Sequence, residues 1–97
     1  MNVIFSPLAD SDMDDVWLYV ALDNPKAADR LIDKLFTAIK RIAKNPYLGR
    51  SRDEIIDGVR SYRVGAYVIF YLIDRHHIRI VRVLHGARDI DSVFEAP

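Results

Sequence analysis

Seven consecutive apolar residues decide the fold of this 97-residue chain: Tyr67-Val68-Ile69-Phe70-Tyr71-Leu72-Ile73. A strand turns successive side chains to opposite faces, so a run that is apolar at every position needs cover on both faces. The run is far shorter than the roughly 20 residues that span a bilayer. We therefore predict that residues 67–73 form the central strand of a small sheet.

Two tight turns bracket this strand. Gly65-Ala66 precedes it and Asp74-Arg75-His76-His77 follows it. Residues 59–64 alternate between apolar and polar side chains, and residues 78–84 are rich in Ile and Val, so both segments are predicted to be strands. Strands joined by such short turns are antiparallel neighbours.

Two helices are predicted before the sheet, each opened by a capping residue and a proline. Ser6-Pro7 and Asn24-Pro25 place a good N-cap before a proline at the first helical position. The first helix runs to about Ala21. The second stops at Asn45-Pro46, because the residue before a proline is pushed out of the α region. The short connection makes the pair an antiparallel hairpin, and residues 2–5 form a first strand that needs a sheet to hold it.

The predicted fold is α+β, with the element order β-α-α-β-β-β. An N-terminal strand precedes an antiparallel helical hairpin, which packs on one face of a small antiparallel sheet. Residues 1–97 form a single domain. Because two helices can cover only one face, we expect the other face, with residues 49–57 and 85–89, to be left for contacts.

The composition excludes several classes of function. The chain has no cysteine, which excludes disulfides, thiolate metal sites and cysteine nucleophiles. It has no apolar run long enough for a membrane span and no basic signal peptide at its start, so we expect a cytoplasmic protein with no membrane partner. No phosphate-binding or metalloprotease motif is present, and the adjacent His76-His77 point apart on a strand. We therefore expect neither a cofactor nor a metal.

The formal net charge of zero conceals a segregation of charge along the chain. Residues 1–33 hold seven Asp against two cations, a balance of −5, whereas residues 34–88 carry a balance of +8 and residues 89–97 one of −3. Eight arginines lie between positions 50 and 88, where no lysine occurs. Arginine offers a fixed fork of donors that matches phosphates and carboxylates. The pattern favours an anionic partner, and ordinary solvated charge with a compositional bias is the alternative.

Arg82 and His85 are the residues of the last strand that can carry chemistry. Arg82 is flanked by aliphatic residues on its own face, so its guanidinium needs a partner or an opening to solvent. Asp89 and Glu54 are the candidate partners for a structural ion pair. His85 can serve as a general acid or base near neutral pH, although a lone His after a strand is more often a hydrogen-bonded structural group.

Five pieces of sequence, in order along the chain, resemble a known family. They are Trp17-Leu18-Tyr19-Val20, Asn24-Pro25-Lys26-Ala27-Ala28, Asn45-Pro46-Tyr47-Leu48-Gly49-Arg50, Gly58-Val59-Arg60-Ser61-Tyr62-Arg63-Val64-Gly65-Ala66-Tyr67-Val68-Ile69-Phe70-Tyr71 and Arg82-Val83-Leu84-His85-Gly86-Ala87-Arg88-Asp89-Ile90. Together they resemble the ParE branch of the RelE/ParE toxins of bacterial type II toxin–antitoxin systems. The predicted fold, a helical hairpin on an antiparallel sheet, is similar to that of the family.

The resemblance implies a growth-arresting toxin, of the kind linked to plasmid stabilisation, that a cognate ParD-like antitoxin neutralises. Such antitoxins are small and carry a C-terminal segment that folds on the toxin. ParE-type members are associated with poisoning DNA gyrase, and RelE-type members are ribosome-dependent mRNA endonucleases. We favour a gyrase-inhibiting binder over an enzyme. The alternatives are an endoribonuclease that acts on ribosome-bound mRNA and an inactive module that only binds the antitoxin.

The resemblance also implies site residues on the strands. In RelE-type toxins, basic residues at the positions resembling Arg60 and Arg82 help to cleave RNA, aided in some by a His or Tyr near the C-terminus, which His85 resembles. If the chain is an endoribonuclease, its candidate catalytic residues are Arg60, Arg82, His85 and Glu54. If it is a binder, its candidate target-binding residues are Arg50, Arg60, Tyr62, Arg82, His85 and Arg88. Since a catalytic site would need more companions than this end shows, we interpret residues 85–89 as a recognition element.

Overall fold

A five-stranded sheet with three helices forms the fold in the computed structural model, which describes residues 1–88 and 90–95. The elements are β1 (Asn2–Phe5), α1 (Pro7–Ala21), α2 (Pro25–Lys44), β2 (Arg50–Ser51), β3 (Arg60–Val64), β4 (Tyr67–Asp74), β5 (His77–His85) and α3 (Ile90–Glu95). No helix in this part of the chain is long and apolar enough to cross a membrane.

β4 is the central strand, as its continuous apolar run predicted. The strands lie in the order β1-β5-β4-β3-β2, and β4 pairs antiparallel with β3 on one side and β5 on the other. Ile69 and Tyr71 belong to the core beneath α1 and α2, whereas Val68 and Phe70 belong to a second core on the opposite face. Both faces of β4 are therefore covered.

The caps predicted from the sequence fix the two long helices. The Ser6 hydroxyl accepts a hydrogen bond from the Ala9 N–H at 3.0 Å, and the Asn24 side chain accepts one from the Ala27 N–H at 3.1 Å. Each cap satisfies one of the amide donors that a helix N-terminus leaves without an intrahelical partner. α2 ends at Lys44, immediately before Asn45-Pro46, as predicted.

The predicted fold class is confirmed, and one strand pairing differs from the expectation of an antiparallel sheet. β1 runs parallel to β5, with Asn2 opposite His77 and Phe5 opposite Ile80. A tight turn forces the two strands that it joins to be antiparallel. β1 and β5 are not joined by such a turn, because the elements from α1 to β4 separate them along the chain, so they can pair in parallel. The sheet is therefore mixed.

The expectation that the second face stays open was wrong. Two elements outside the predicted order, β2 and α3, complete the fold, and α3 packs on that face. Phe94 of α3 lies edge-on to Phe70, with the ring centroids 5.1 Å apart. The second core consists of Val59, Val68, Phe70 and Leu84, covered by Ile55, Ile90, Val93 and Phe94. The short C-terminal helix thus buries apolar surface that the helical hairpin cannot reach.

A bulge in β5 breaks the alternation of its side chains. Ile80 lies opposite Tyr71 and Arg82 lies opposite Phe70, so Val81 is the extra residue. Ser6, immediately before α1, satisfies two backbone carbonyls at the bulge. Its N–H donates to the Ile80 carbonyl at 2.9 Å, and its hydroxyl donates to the Val81 carbonyl at 2.8 Å. Bulges re-aim side chains, and this one lies directly before Arg82.

Candidate target-binding site

Arg82 is bound by a buried carboxylate of α1. Its Nε donates to Asp12 Oδ2 at 2.8 Å and its Nη2 donates to Asp12 Oδ1 at 2.9 Å. The Val83 N–H also donates to Asp12 Oδ2 at 2.9 Å. Asp12 is only 6% exposed. This bidentate pair raises the pKa of Arg82 through the hydrogen bond to Asp12, against the opposing effect of burial.

The structural ion pair expected for Arg82 is present, but its partner is neither of the residues named from the sequence. Glu54 instead pairs with Arg52 at 3.2 Å, and Asp89 lies outside the described residues. A sequence signal for Asp12 existed. It lies three residues after the buried Ala9 and four before the buried Val16, on the apolar stripe of α1.

His85 ends β5 beside a shallow cavity of about 370 Å³. Its Nδ1 accepts a hydrogen bond from the Ala87 N–H at 3.0 Å, so the neutral ring carries its proton on Nε2. The ring also meets Tyr67 edge-on at a centroid distance of 5.3 Å. The cavity is lined by Asp12, Asp15, Val16, Tyr19, Tyr67, Val83, Leu84, His85 and Arg88.

Tyr67 is one of the ionisable groups that the cavity brings close to His85. Burial raises the pKa of the Tyr67 phenol, and the proximity of Tyr19 raises it by a smaller amount. Tyr67 therefore stays a neutral hydroxyl at physiological pH. Together with the imidazole of His85 and the guanidinium of Arg88, it provides hydrogen-bond donors and acceptors in a cavity that Val16, Val83 and Leu84 also line.

Arg60 lies on β3, across the central strand β4 from Arg82, and hydrogen bonds within the protein also fix its guanidinium. Its Nε donates to the Gly49 carbonyl at 2.8 Å, and its Nη2 donates to the Tyr47 carbonyl at 3.4 Å. Its guanidinium carbon lies 5.2 Å from the centroid of the Tyr47 ring. As expected from the strand period, Tyr62 follows Arg60 on the same face, where it packs against the first core.

The candidate residues thus fall into separate groups. Arg82 lies within β5, His85 ends it and Arg88 follows it, whereas Arg50 and Arg60 lie at the β2–β3 edge. Arg60 is level with Tyr71 and His85 is level with Tyr67, four residues apart on β4, or about 13 Å at 3.3 Å per residue. Within residues 1–88 and 90–95, no three His, Asp or Glu side chains are grouped to hold a metal ion.

Comparison with known proteins assigns the family. The family model for the "ParE toxin of type II toxin-antitoxin system, parDE" matches residues 3–90. Toxin ParE1 of Mycobacterium tuberculosis is 33% identical over 93 residues, which cover 91% of this chain and 92% of the relative. The chain belongs to the ParE toxin family.

Solved structures share the fold of this ParE-family chain. A chain of the chromosomal ParDE system from P. aeruginosa superposes with a TM-score of 0.74 at 20% identity, covering 88% of this chain and 95% of that one. A chain of the toxin–antitoxin complex RelBE2 from M. tuberculosis gives 0.64 at 23% identity, covering 90% and 92%. At these identities the likeness concerns the fold alone, and it spans both branches of the RelE/ParE superfamily.

Three residues of this ParE-family site were not singled out from the sequence. Asp12 was counted only among the seven aspartates of residues 1–33, although its position on the apolar stripe of α1 was a usable signal. Tyr67 was assigned only to the central strand, and its contact with His85 depends on the pairing of β4 with β5. Tyr47 was named only within one of the five pieces that resemble the family, and its contact with Arg60 is tertiary, so no local pattern indicated it.

Proposed function

We propose that this ParE-family toxin arrests growth by binding and inhibiting DNA gyrase in the cytoplasm, and that a cognate ParD-like antitoxin neutralises it. The observation that carries the gyrase proposal is the ParE family match over residues 3–90. The separation of the candidate catalytic groups supports inhibition by binding rather than by RNA cleavage.

Cleavage through a ribose 2′-hydroxyl needs a base, an acid and a cation around one phosphate. Here Arg82 is held by Asp12, Arg60 by backbone carbonyls, and Glu54 by Arg52. These groups lie on different elements and make contacts within the protein. A binder, by contrast, needs exposed groups on a fixed surface, and Arg50 and Arg88 are exposed and form no ion pair with the described residues.

One grouping favours the alternative, a ribosome-dependent mRNA endoribonuclease. The imidazole of His85, the hydroxyl of Tyr67 and the guanidinium of Arg88 border the same cavity. Such groups can transfer protons and stabilise a phosphorane. The two activities must therefore be measured on the same preparation.

The test compares gyrase supercoiling and cleavage of ribosome-bound mRNA with the purified chain. We expect supercoiling to be inhibited and the mRNA to remain intact. Arg88→Ala should weaken the inhibition, while Arg75→Ala, an exposed arginine in the distant β4–β5 turn, should not. Cleaved mRNA with unaffected gyrase would reverse the assignment. A lack of both activities in a folded, non-toxic chain would favour an inactive antitoxin-binding module.

The antitoxin proposal rests on two surfaces that the fold leaves available. A groove of about 480 Å³ between α1 and α2 is lined by Phe5, Asp10, Met13, Asp14, Trp17, Ile32 and Phe36. The outer edge of β3 pairs with β2 only at Arg60 and Ser61, so the rest of that edge can accept an added strand. A cavity between α2 and β3 is lined by three cations, Lys34, Arg41 and Arg63, and one anion, Asp33. This balance favours an acidic segment at the edge and an apolar helix in the groove.

Co-expression with the product of an adjacent small gene tests this arrangement. We expect the two proteins to co-purify and the toxicity to disappear. Phe36→Asp in the groove should weaken the complex, whereas Leu22→Asp, on an exposed apolar residue outside the groove, should leave it intact. A toxin that elutes alone beside that product would contradict the proposal.

A further inference from the structure

The segment from the middle of α2 to the residue after β2 carries positive charge only. Residues 34–52 hold six Lys and Arg and no Asp or Glu. Of these cations, only Arg52 forms an ion pair with a described residue, Glu54. Unpaired cations in such a run attract a polyanion, with an affinity that falls as salt rises.

An exposed tyrosine stands in the middle of this basic segment. Tyr47 is 71% exposed, so its ring adds little to the apolar burial that stabilises the fold. The guanidinium of Arg60 lies 5.2 Å from the ring centroid, and the remaining exposure leaves most of the ring open to solvent. A ring held by a cation in this way is a platform for another flat group.

The loop that carries Tyr47 is fixed in place by a buried hydroxyl. The Tyr71 hydroxyl, on a fully buried residue, donates to the Pro46 carbonyl at 2.7 Å and accepts from the Gly49 N–H at 2.8 Å. Arg60 adds its bonds to the carbonyls of Gly49 and Tyr47. Because the platform is ordered before a ligand arrives, binding loses less conformational entropy.

We propose that this corner, formed by Lys44, Tyr47, Arg50 and Arg60, binds single-stranded nucleic acid. A base stacks on the Tyr47 ring while Lys44 and Arg50 contact phosphates. Each of these cations is three residues from Tyr47, so its Cα atom lies within about 11 Å of that of Tyr47. An acidic peptide could pair with the cations but would leave the exposed ring without a flat partner. Arg50 is also a candidate residue for gyrase binding, but neither gyrase binding nor antitoxin binding requires a base stacked on Tyr47, so the inference goes beyond the proposed function.

Fluorescence anisotropy with the purified full chain and short labelled oligonucleotides tests the proposal. The probes are single-stranded DNA, single-stranded RNA, duplex DNA and a labelled glutamate-rich peptide, all at low salt. Since stacking of one base on an aromatic ring contributes about 5- to 150-fold in affinity, Tyr47→Ala should weaken single-strand binding about tenfold. Tyr47→Phe should bind like the wild type. Tyr19→Ala is the matched control, because Tyr19 is 74% exposed but lies on the acidic α1.

The cations are tested by the salt dependence of the same binding. Arg50→Glu should weaken binding and reduce the slope of log affinity against log salt by about 0.7 for the lost phosphate contact. The DNA and RNA probes distinguish the source of the strand. A preference for either, or equal binding to both, supports the proposal and identifies which strand the corner accepts.

Three results would overturn the inference. They are no binding to either single strand at low salt, equal affinities for Tyr47→Ala and Tyr19→Ala, and tighter binding of duplex DNA or of a glutamate-rich peptide than of single strands. A supercoiling assay on the same variants keeps the two proposals apart. Gyrase inhibition without oligonucleotide binding would remove this inference only, and oligonucleotide binding without gyrase inhibition would remove the proposed function only.

Discussion

Replacing Asp12 with alanine tests whether this one carboxylate joins the helical hairpin to the sheet. In the wild type, Asp12 on α1 accepts three hydrogen bonds from β5: two from the Arg82 guanidinium and one from the Val83 N–H. The pair links residues 70 positions apart at the bulge in β5. The substitution removes all three bonds and leaves the guanidinium in place.

The expected loss follows from the burial of the two partners. The side chains of Arg82 and Asp12 are only 14% and 7% exposed. Removing one partner of a buried pair destabilises a protein by about 3–5 kcal/mol, because the other charge is left without compensation. Arg82 reaches some solvent, so we expect about 3 kcal/mol, which is a large share of the roughly 5–15 kcal/mol that stabilises a typical domain. Asp12→Asn retains acceptor capacity without the charge and should lie between the wild type and Asp12→Ala.

Urea unfolding followed by circular dichroism measures this loss as a shift of the midpoint at unchanged slope. Asp14→Ala is the control, since Asp14 is an exposed aspartate of the same helix and should change stability by no more than about 0.5 kcal/mol. If Asp12→Ala shifts the midpoint no more than Asp14→Ala does, the pair does not hold the hairpin to the sheet, and the reasoning is refuted.

Three further perturbations test other contacts. Tyr71→Phe removes the hydroxyl between Pro46 and Gly49 and should reduce the free energy of unfolding by about 1–3 kcal/mol; an unchanged urea midpoint would contradict this. Gly49→Ala places a Cβ 2.6 Å from the Tyr71 hydroxyl, so thermal unfolding should show a loss of about 1–3 kcal/mol. Burial raises the pKa of Tyr67 above 10.0, with a smaller effect from Tyr19. Its contribution to stability should therefore be complete below about pH 10 and be lost as the pH rises through the folded pKa. Tyr67→Phe should remove a component of tyrosinate absorbance that titrates above pH 10.0, and an unchanged titration curve would count against the assignment.

The features that the sequence predicts correctly are those that depend on local chemistry. The caps at Ser6 and Asn24 act within three residues of the group they satisfy, and the apolar run of β4 needs cover on both faces wherever its neighbours lie. The direction of β1 relative to β5 depends on how the chain comes back to β1 after the elements from α1 to β4. No local pattern encodes this return. The six residues of α3 were not predicted as a helix because so short a segment is stable only through packing on the second core.

The candidate site shows the same division between local and tertiary information. From the sequence, Arg60 and Arg82 are both arginines on strands next to apolar residues. The aliphatic neighbours of Arg82 predict that it needs a partner, but nothing local identifies that partner or indicates what Arg60 holds. In the fold, Asp12 binds Arg82 and makes it a link between α1 and β5, whereas Arg60 holds the loop that presents Tyr47. The functional question therefore moves from these tethered arginines to exposed groups on the same elements or next to them: His85 at the end of β5 with Arg88 after it, and Tyr47 with Arg50 beside β3. An alanine scan that treats all these arginines alike would confuse loss of fold with loss of binding, so each binding assay needs the urea midpoint of the same variant beside it.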